Sequence, residues 1–138
     1  MRESKIFVTV DAVVFKKTTP MQLLLVQRKN DPFREMWALP GGFVDENEDL
    51  QDAAIRELRE ETGVEISECI QLKAFGKPGR DPRHHTVSVA FLAFVSEDTS
   101  ASAADDAKDA GWFEIDALPA LAFDHKEIIE FAISTIGS

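Results

Sequence analysis

Between Gly42 and Val64 the chain reads GFVDENEDLQDAAIRELREETGV, and nothing else in it narrows the fold as sharply. A glycine turn opens the stretch, an amphipathic run follows, and Thr62-Gly63 closes it. One helical turn takes ~3.6 residues, so side chains three and four apart share a face. That spacing places Glu57, Glu60 and Glu61 on one side of a helix, with Arg56 one turn ahead of Glu60 and able to hold its carboxylate. Leu50, Ala54 and Leu58, with Ile55 beside them, form the stripe that must be buried. Asn47 is the expected N-cap, and Gly63 suits the left-handed position that ends the helix. Crowded carboxylates repel one another until a cation sits among them. A hard divalent ion such as Mg²⁺, which takes oxygen ligands, suits that position. A solvated acidic helix face is the competing reading of the same residues.

The spacing around the carboxylates decides between the two. Gly42, Glu48, Arg56-Glu57-Leu58, Glu60-Glu61, Gly63 and Val64 meet every fixed position of GX5EX7REUXEEXGU, where U is a bulky aliphatic residue. This resembles the box of the Nudix hydrolases. The resemblance implies an α/β/α sandwich with a mixed β-sheet, spanning the chain as one domain. It also implies Mg²⁺- or Mn²⁺-dependent cleavage of a nucleoside diphosphate linked to another moiety. Metal ligands are then expected at Glu57, Glu60 and Glu61, and at the carbonyl of Gly41, the residue before the box glycine. Arg56 is expected to orient Glu60 or Glu57 rather than touch substrate, and Glu48 to join through water or brace the turn.

At 138 residues the chain fits one domain with a real core, and 44% hydrophobic residues exclude a disordered chain. No apolar run approaches the ~20 residues that span a bilayer. The segment from Met1 to Lys5 lacks a secretory pattern. Cys69 is the single cysteine, which excludes an internal disulfide; cytoplasm is the expected compartment, and a packed thiol the expected role of Cys69. A net charge of −10 argues against nonspecific nucleic-acid binding. An anionic substrate is still compatible with it, because bound cations reverse the field of a site, so activity should depend strongly on metal.

Taken in order, Ile6 to Phe15 alternates as a strand that is apolar on both sides except at Thr9 and Asp11. Asp11 reads as a polar anchor near a ligand or, the favoured reading, as locally hydrogen-bonded or at a strand edge. Met21 to Arg28 is a second strand, paired with the first as a hairpin. Trp37 to Phe43 reads as a tight turn through Pro40-Gly41-Gly42. Ile70 to Phe75 and Thr86 to Val95 are strands, the latter apolar throughout and so central. Ser96 to Asp109 is an acidic loop, and Gly111 to Ile115 a short strand. Asp124 and Glu127 fit a capping box before a helix from about Lys126 to Thr135. The order alone supports α/β or α+β.

Substrate choice rests outside the box. Pro78 to Arg83 followed by Thr86 to Phe91 resembles a segment of ADP-ribose pyrophosphatases and of related Nudix regulators, which implies cleavage of ADP-ribose to AMP and ribose 5-phosphate. Arg80 and Arg83 can bind phosphate or carboxylate as forks, as can Arg28 and Arg34. Each can equally form a surface ion pair in so acidic a chain. Trp37 or Phe33 can stack on adenine, with core packing beside the box the favoured reading for Trp37. The general base is open between the box and the loop acids Glu97, Asp98, Asp105 and Asp106. The segment Asp105 to Phe113 resembles one Nudix group and favours Asp106, then Asp105. His84, His85 and His125 form no zinc constellation, and a structural or solvent role is expected for all three. Another nucleotide substrate, or an ADP-ribose-sensing domain without catalysis, are the rival readings. The resemblance also admits a homodimer.

Overall fold

β1 (Ile6–Lys16) is the strand on which the sheet is built, buried without a break from Val10 to Phe15. Along its whole length it runs parallel to β6 (His85–Val95), from Ile6 opposite His85 to Lys16 opposite Val95. Its other edge is shared. Phe15 and Lys16 pair antiparallel with β2 (Gln22–Arg28), while Thr9 to Asp11 pair antiparallel with β4 (Gly41–Phe43). β3 (Trp37–Ala38) and β7 (Ala107–Glu114) lie on opposite edges of β2, and β5 (Ile70–Phe75) completes the far side against β6. The result is a mixed sheet of seven strands in a computed structural model that describes residues 2–104 and 107–136.

β1 and β2 leave their turn side by side and then diverge. The two short strands, which the sequence presented as one turn, fill the wedge: β3 against β2 and β4 against β1. Gly41 is required there by close approach. A Cβ at that position would lie 2.1 Å from the Val10 carbonyl oxygen.

Strand alternation sorts the core into two layers. Val10, Ala12 and Val14 face α1 (Leu50–Thr62), meeting Ala53, Ala54 and Leu58. Val13 and Phe15 face α2 (His125–Thr135), meeting Ile128, Ile129 and Ala132. Leu58 is fully buried, which stabilises the docking of α1 by roughly 1.5–3 kcal/mol. By the same alternation Asp11 falls on the α2 face, inside the sheet rather than at its edge. There its carboxylate accepts a hydrogen bond from the buried Ser88 hydroxyl.

Three local expectations change. The N-cap of α1 is Asp49, whose carboxylate accepts from the Leu50 amide at 2.7 Å. Asn47 instead takes a left-handed φ of 64° in the turn before it, a conformation asparagine tolerates. Asp124 stands at the N-cap of α2 without capping it, because both its oxygens are taken by Arg80 at 2.6 and 2.9 Å. β7 begins at Ala107 rather than Gly111, since pairing with β2 extends it through a segment whose composition reads as loop. Gly63 closes α1 as expected, at φ 74° with its amide on the Arg59 carbonyl.

Candidate active site

A cavity of about 810 Å³ opens where β1 and β2 diverge. Glu57, Glu60 and Glu61 line one wall, with Gly41 and Gly42. Arg28, Arg80, Arg83 and Phe123 line the same cavity. Asp11 and His125 line it as well.

The acidic wall is organised by Arg56. Its Nε donates to Glu48 at 2.6 Å, and Nη2 to Glu48 at 2.9 Å and to the Phe43 carbonyl at 3.1 Å. Nη1 donates to Glu57 and to Glu60, both at 2.9 Å. A guanidinium has five N–H donors, and all five are committed here. Arg56 therefore shapes the site by fixing carboxylates and has none left to offer a ligand. Glu48 braces the turn, accepting also from the Asp45 amide at 3.0 Å. The hydrogen bond from Arg56 holds its carboxyl at about 2, well below the usual 4.5. Burial pushes the Glu57 carboxyl upward against the pull of Arg56, as expected of a carboxylate drawn out of water.

Glu61 accepts from the Gly41 amide at 2.7 Å. Main-chain bonds from Ala12 to Pro40 and from Val44 to Val8 bracket the β1–β4 pairing, so the Gly41 amide faces away from β1. In extended chain the carbonyl of a residue points to the same edge as its amide. The Gly41 carbonyl thus shares the edge that the Glu61 carboxylate reaches.

This donor set suits a hard divalent ion: it is all oxygen, from three carboxylates and a carbonyl. Gly42 reinforces the fit. A Cβ there would fall 2.5 Å from Glu57 Oε2, so only glycine leaves that carboxylate its place against the strand. Among the described residues no three acidic, imidazole or thiol side chains stand close enough together to hold a metal ion by themselves. Glu57 is held by Arg56 and Glu61 by the Gly41 amide.

The basic side is equally specific. Arg83 pairs with Asp81 at 2.8 Å, and although burial opposes ionisation of Asp81, the arginine keeps its carboxyl below the usual range. Arg28 donates to the Pro32 carbonyl and lies 4.9 Å from the Phe123 ring centre. Phe123 also meets Phe33 at 4.7 Å, and both phenylalanines have left-handed φ, 53° and 60°. Bulky residues rarely adopt that conformation. Composition gives no sign of such a φ, so the sequence reading passes over Phe123.

Two expected ligand contacts lie elsewhere. Trp37 packs edge to face on Phe113 at 4.8 Å, at the margin of the α2-side core, and does not line the cavity. Arg34 is also outside the lining. Of the base candidates, Glu97 and Asp98 do not line the cavity either. Asp105 and Asp106 lie outside the described residues, while Ala104 donates to the Glu61 carbonyl and Ala107 lines the cavity. His125, expected to have a structural or solvent role, reaches the cavity from the start of α2; nothing in its sequence context signals that.

The family model of the NUDIX domain matches residues 5–131, nearly the full chain. The chain belongs to the Nudix family. Among Nudix proteins it is 42% identical to an ADP-ribose pyrophosphatase from Methanocaldococcus jannaschii, over 89% of this chain and 70% of that protein. It is 33% identical to an ADPR responsive transcriptional repressor, NtrR, from Acinetobacter baylyi, over 94% of this chain but 54% of the repressor. Its structure matches the Nudix domain of Shewanella oneidensis NrtR complexed with ADP ribose at a TM-score of 0.87 and 34% identity, over 97% of this chain and 90% of that one. Family and homologue together identify a Nudix pyrophosphohydrolase.

Proposed function

We propose that this enzyme hydrolyses the pyrophosphate of ADP-ribose, giving AMP and ribose 5-phosphate, with Mg²⁺ or Mn²⁺. One observation carries the reading: a single cavity joins the box carboxylates to an arginine and aromatic corner. Glu57, Glu60, Glu61 and the Gly41 carbonyl are the groups that would hold the ion. Such an ion lowers the pKa of the attacking water and neutralises phosphoryl oxygens.

The chain's own residues supply the rest. Arg56 holds two box carboxylates, Glu57 and Glu60, in place and aimed. Asp124 binds Nε and Nη2 of Arg80, which fixes the plane of the guanidinium; Nη1 takes part in neither bond and can meet a phosphate. Phe123, packed against Phe33, lines the cavity and offers an aromatic ring for the adenine. Asp106 is the assigned general base, on the resemblance of its segment. A cytoplasmic location and a homodimer belong to this reading as expectations from the sequence. No helix among the described residues is long and apolar enough to cross a membrane.

A second reading, an ADP-ribose sensor without catalysis, is favoured by the repressor relative. One assay separates the readings. The protein is incubated with ADP-ribose, NADH and nucleoside triphosphates, with and without Mg²⁺, and the products are resolved. AMP formed from ADP-ribose only with metal supports the first reading. Binding of ADP-ribose without products supports the second. Turnover confined to triphosphates refutes both.

A further inference from the structure

Beneath the two charged walls the cavity has a third element that neither the box nor the arginines explain. Asp11 is 7% exposed and His125 4%, and both line the cavity. They come from elements more than a hundred residues apart and meet because alternation turns Asp11 toward α2, whose first residue is His125.

The tautomer of His125 is set by its surroundings. The Leu39 amide, which can only donate, points at Nδ1 from 3.0 Å. Nδ1 is therefore the acceptor and Nε2 carries the proton. Burial holds the ring in its neutral form, despite the attraction of Asp11. Asp11 is anchored too. One oxygen accepts from Ser88, and the other, Oδ1, lies 3.6 Å from His125 Nε2. That gap is too long for a direct hydrogen bond. An oxygen atom ~2.8 Å from each would bridge the two.

The guest of such a gap must accept from an imidazole N–H and donate to a carboxylate. A phosphate oxygen or a carbonyl cannot donate. An ammonium cannot accept. An alcohol does both. We infer that Asp11 and His125 together bind one hydroxyl of a substrate sugar, so that the enzyme selects nucleoside diphosphate sugars bearing that hydroxyl. This deepens the proposed ADP-ribose reading and rests on it. The aspartate is held in its buried strand by the Ser88 hydroxyl on one oxygen, while the other faces His125 across the gap.

The test uses ADP-ribose and a set of analogues, each lacking one ribose hydroxyl. Hydrolysis is measured with Mg²⁺, and binding by calorimetry without metal. On the unaltered enzyme one analogue should lose about 30-fold or more in kcat/KM and bind correspondingly weakly, since a site built around a hydroxyl rejects its absence strongly. With Asp11→Asn or His125→Gln, that analogue and ADP-ribose should differ by less than about threefold, because the selecting pair is gone. If the unaltered enzyme treats every analogue within about threefold of ADP-ribose, the gap holds only water and the inference fails. That arm needs no variant to fold. Failure of ADP-ribose itself to bind or react overturns the functional reading along with this one, whereas ADP-ribose turnover with uniform analogues overturns this one alone.

Discussion

Arg56→Lys isolates what the guanidinium does beyond carrying charge. Lysine offers three donors where arginine offers five, so at least two of the bonds to Glu48, Glu57, Glu60 and Phe43 are lost. Hydrogen bonds to charged groups contribute ~1.5–3 kcal/mol each when shielded. The Arg56 side chain is 20% exposed and that of Glu60 41%, so solvent screening reduces this to ~1 kcal/mol each. The expected loss is ~2 kcal/mol, or roughly 5–10 °C in Tm for a chain of this size. The pH dependence adds a second signature. Glu48 has a folded pKa of about 2 against a usual 4.5, depressed chiefly by its bond to Arg56. A depressed carboxyl stabilises the fold fully above the usual value and loses that contribution as pH falls toward the folded one. The gap between the two proteins should therefore be full near neutral pH and close between 4.5 and about 2. Thermal unfolding followed by circular dichroism across that range measures it. A Tm within about 2 °C of the unaltered protein at neutral pH, or a gap undiminished at the acid end, would refute the hub role.

Glu61→Gln keeps the acceptor for the Gly41 amide and removes the charge; kcat should fall ~10²-fold or more while Tm holds, and normal turnover in a steady-state assay would contradict the assignment. Gly42→Ala should displace the Glu57 carboxylate, lowering activity and raising the Mg²⁺ needed for half-maximal rate, with little loss of stability because a side-chain tip can move. Gly41→Ala meets the backbone oxygen of Val10 instead, and a chemical-denaturation curve should show a loss of ~2 kcal/mol or more. His125 is held neutral by burial, with Asp11, Arg80, Asp124 and Arg28 around it. Its folded pKa lies below the usual 6.5, so its neutral state favours the fold above that value, and stability should decline as pH falls through it. Denaturation midpoints compared with His125→Gln should show the slope vanish in the variant; an unchanged slope would argue that the ring is already charged.

The box helix was legible because its information is local. Helical period puts Glu57, Glu60 and Glu61 on one side, and the Arg56 partners lie within one or two turns or in the adjoining turn. The same holds for the left-handed close at Gly63, which depends on backbone conformation alone. Capping was less legible, because Asn47 and Asp49 are both good caps and the turn geometry chose between them. For Asp124 the local signal was overridden, since a bidentate arginine competes better for a carboxylate than a helix amide does. Core packing was the favoured reading of Trp37, but its partner Phe113, 76 positions away in the chain, could not be named from spacing.

By itself the sequence determined the carboxylate face, the helix that carries it and the alternation that sorts strand residues into two layers, because periodicity is a property of neighbours along the chain. Only the tertiary structure decided what gathers around that face. Arg28, Arg80 and Phe123 line the same cavity, and Asp11 faces His125, because β1 and β2 diverge and α2 packs on the sheet face toward which Asp11 points. Pairings at such separations depend on which strands share an edge, and spacing along the chain does not record that.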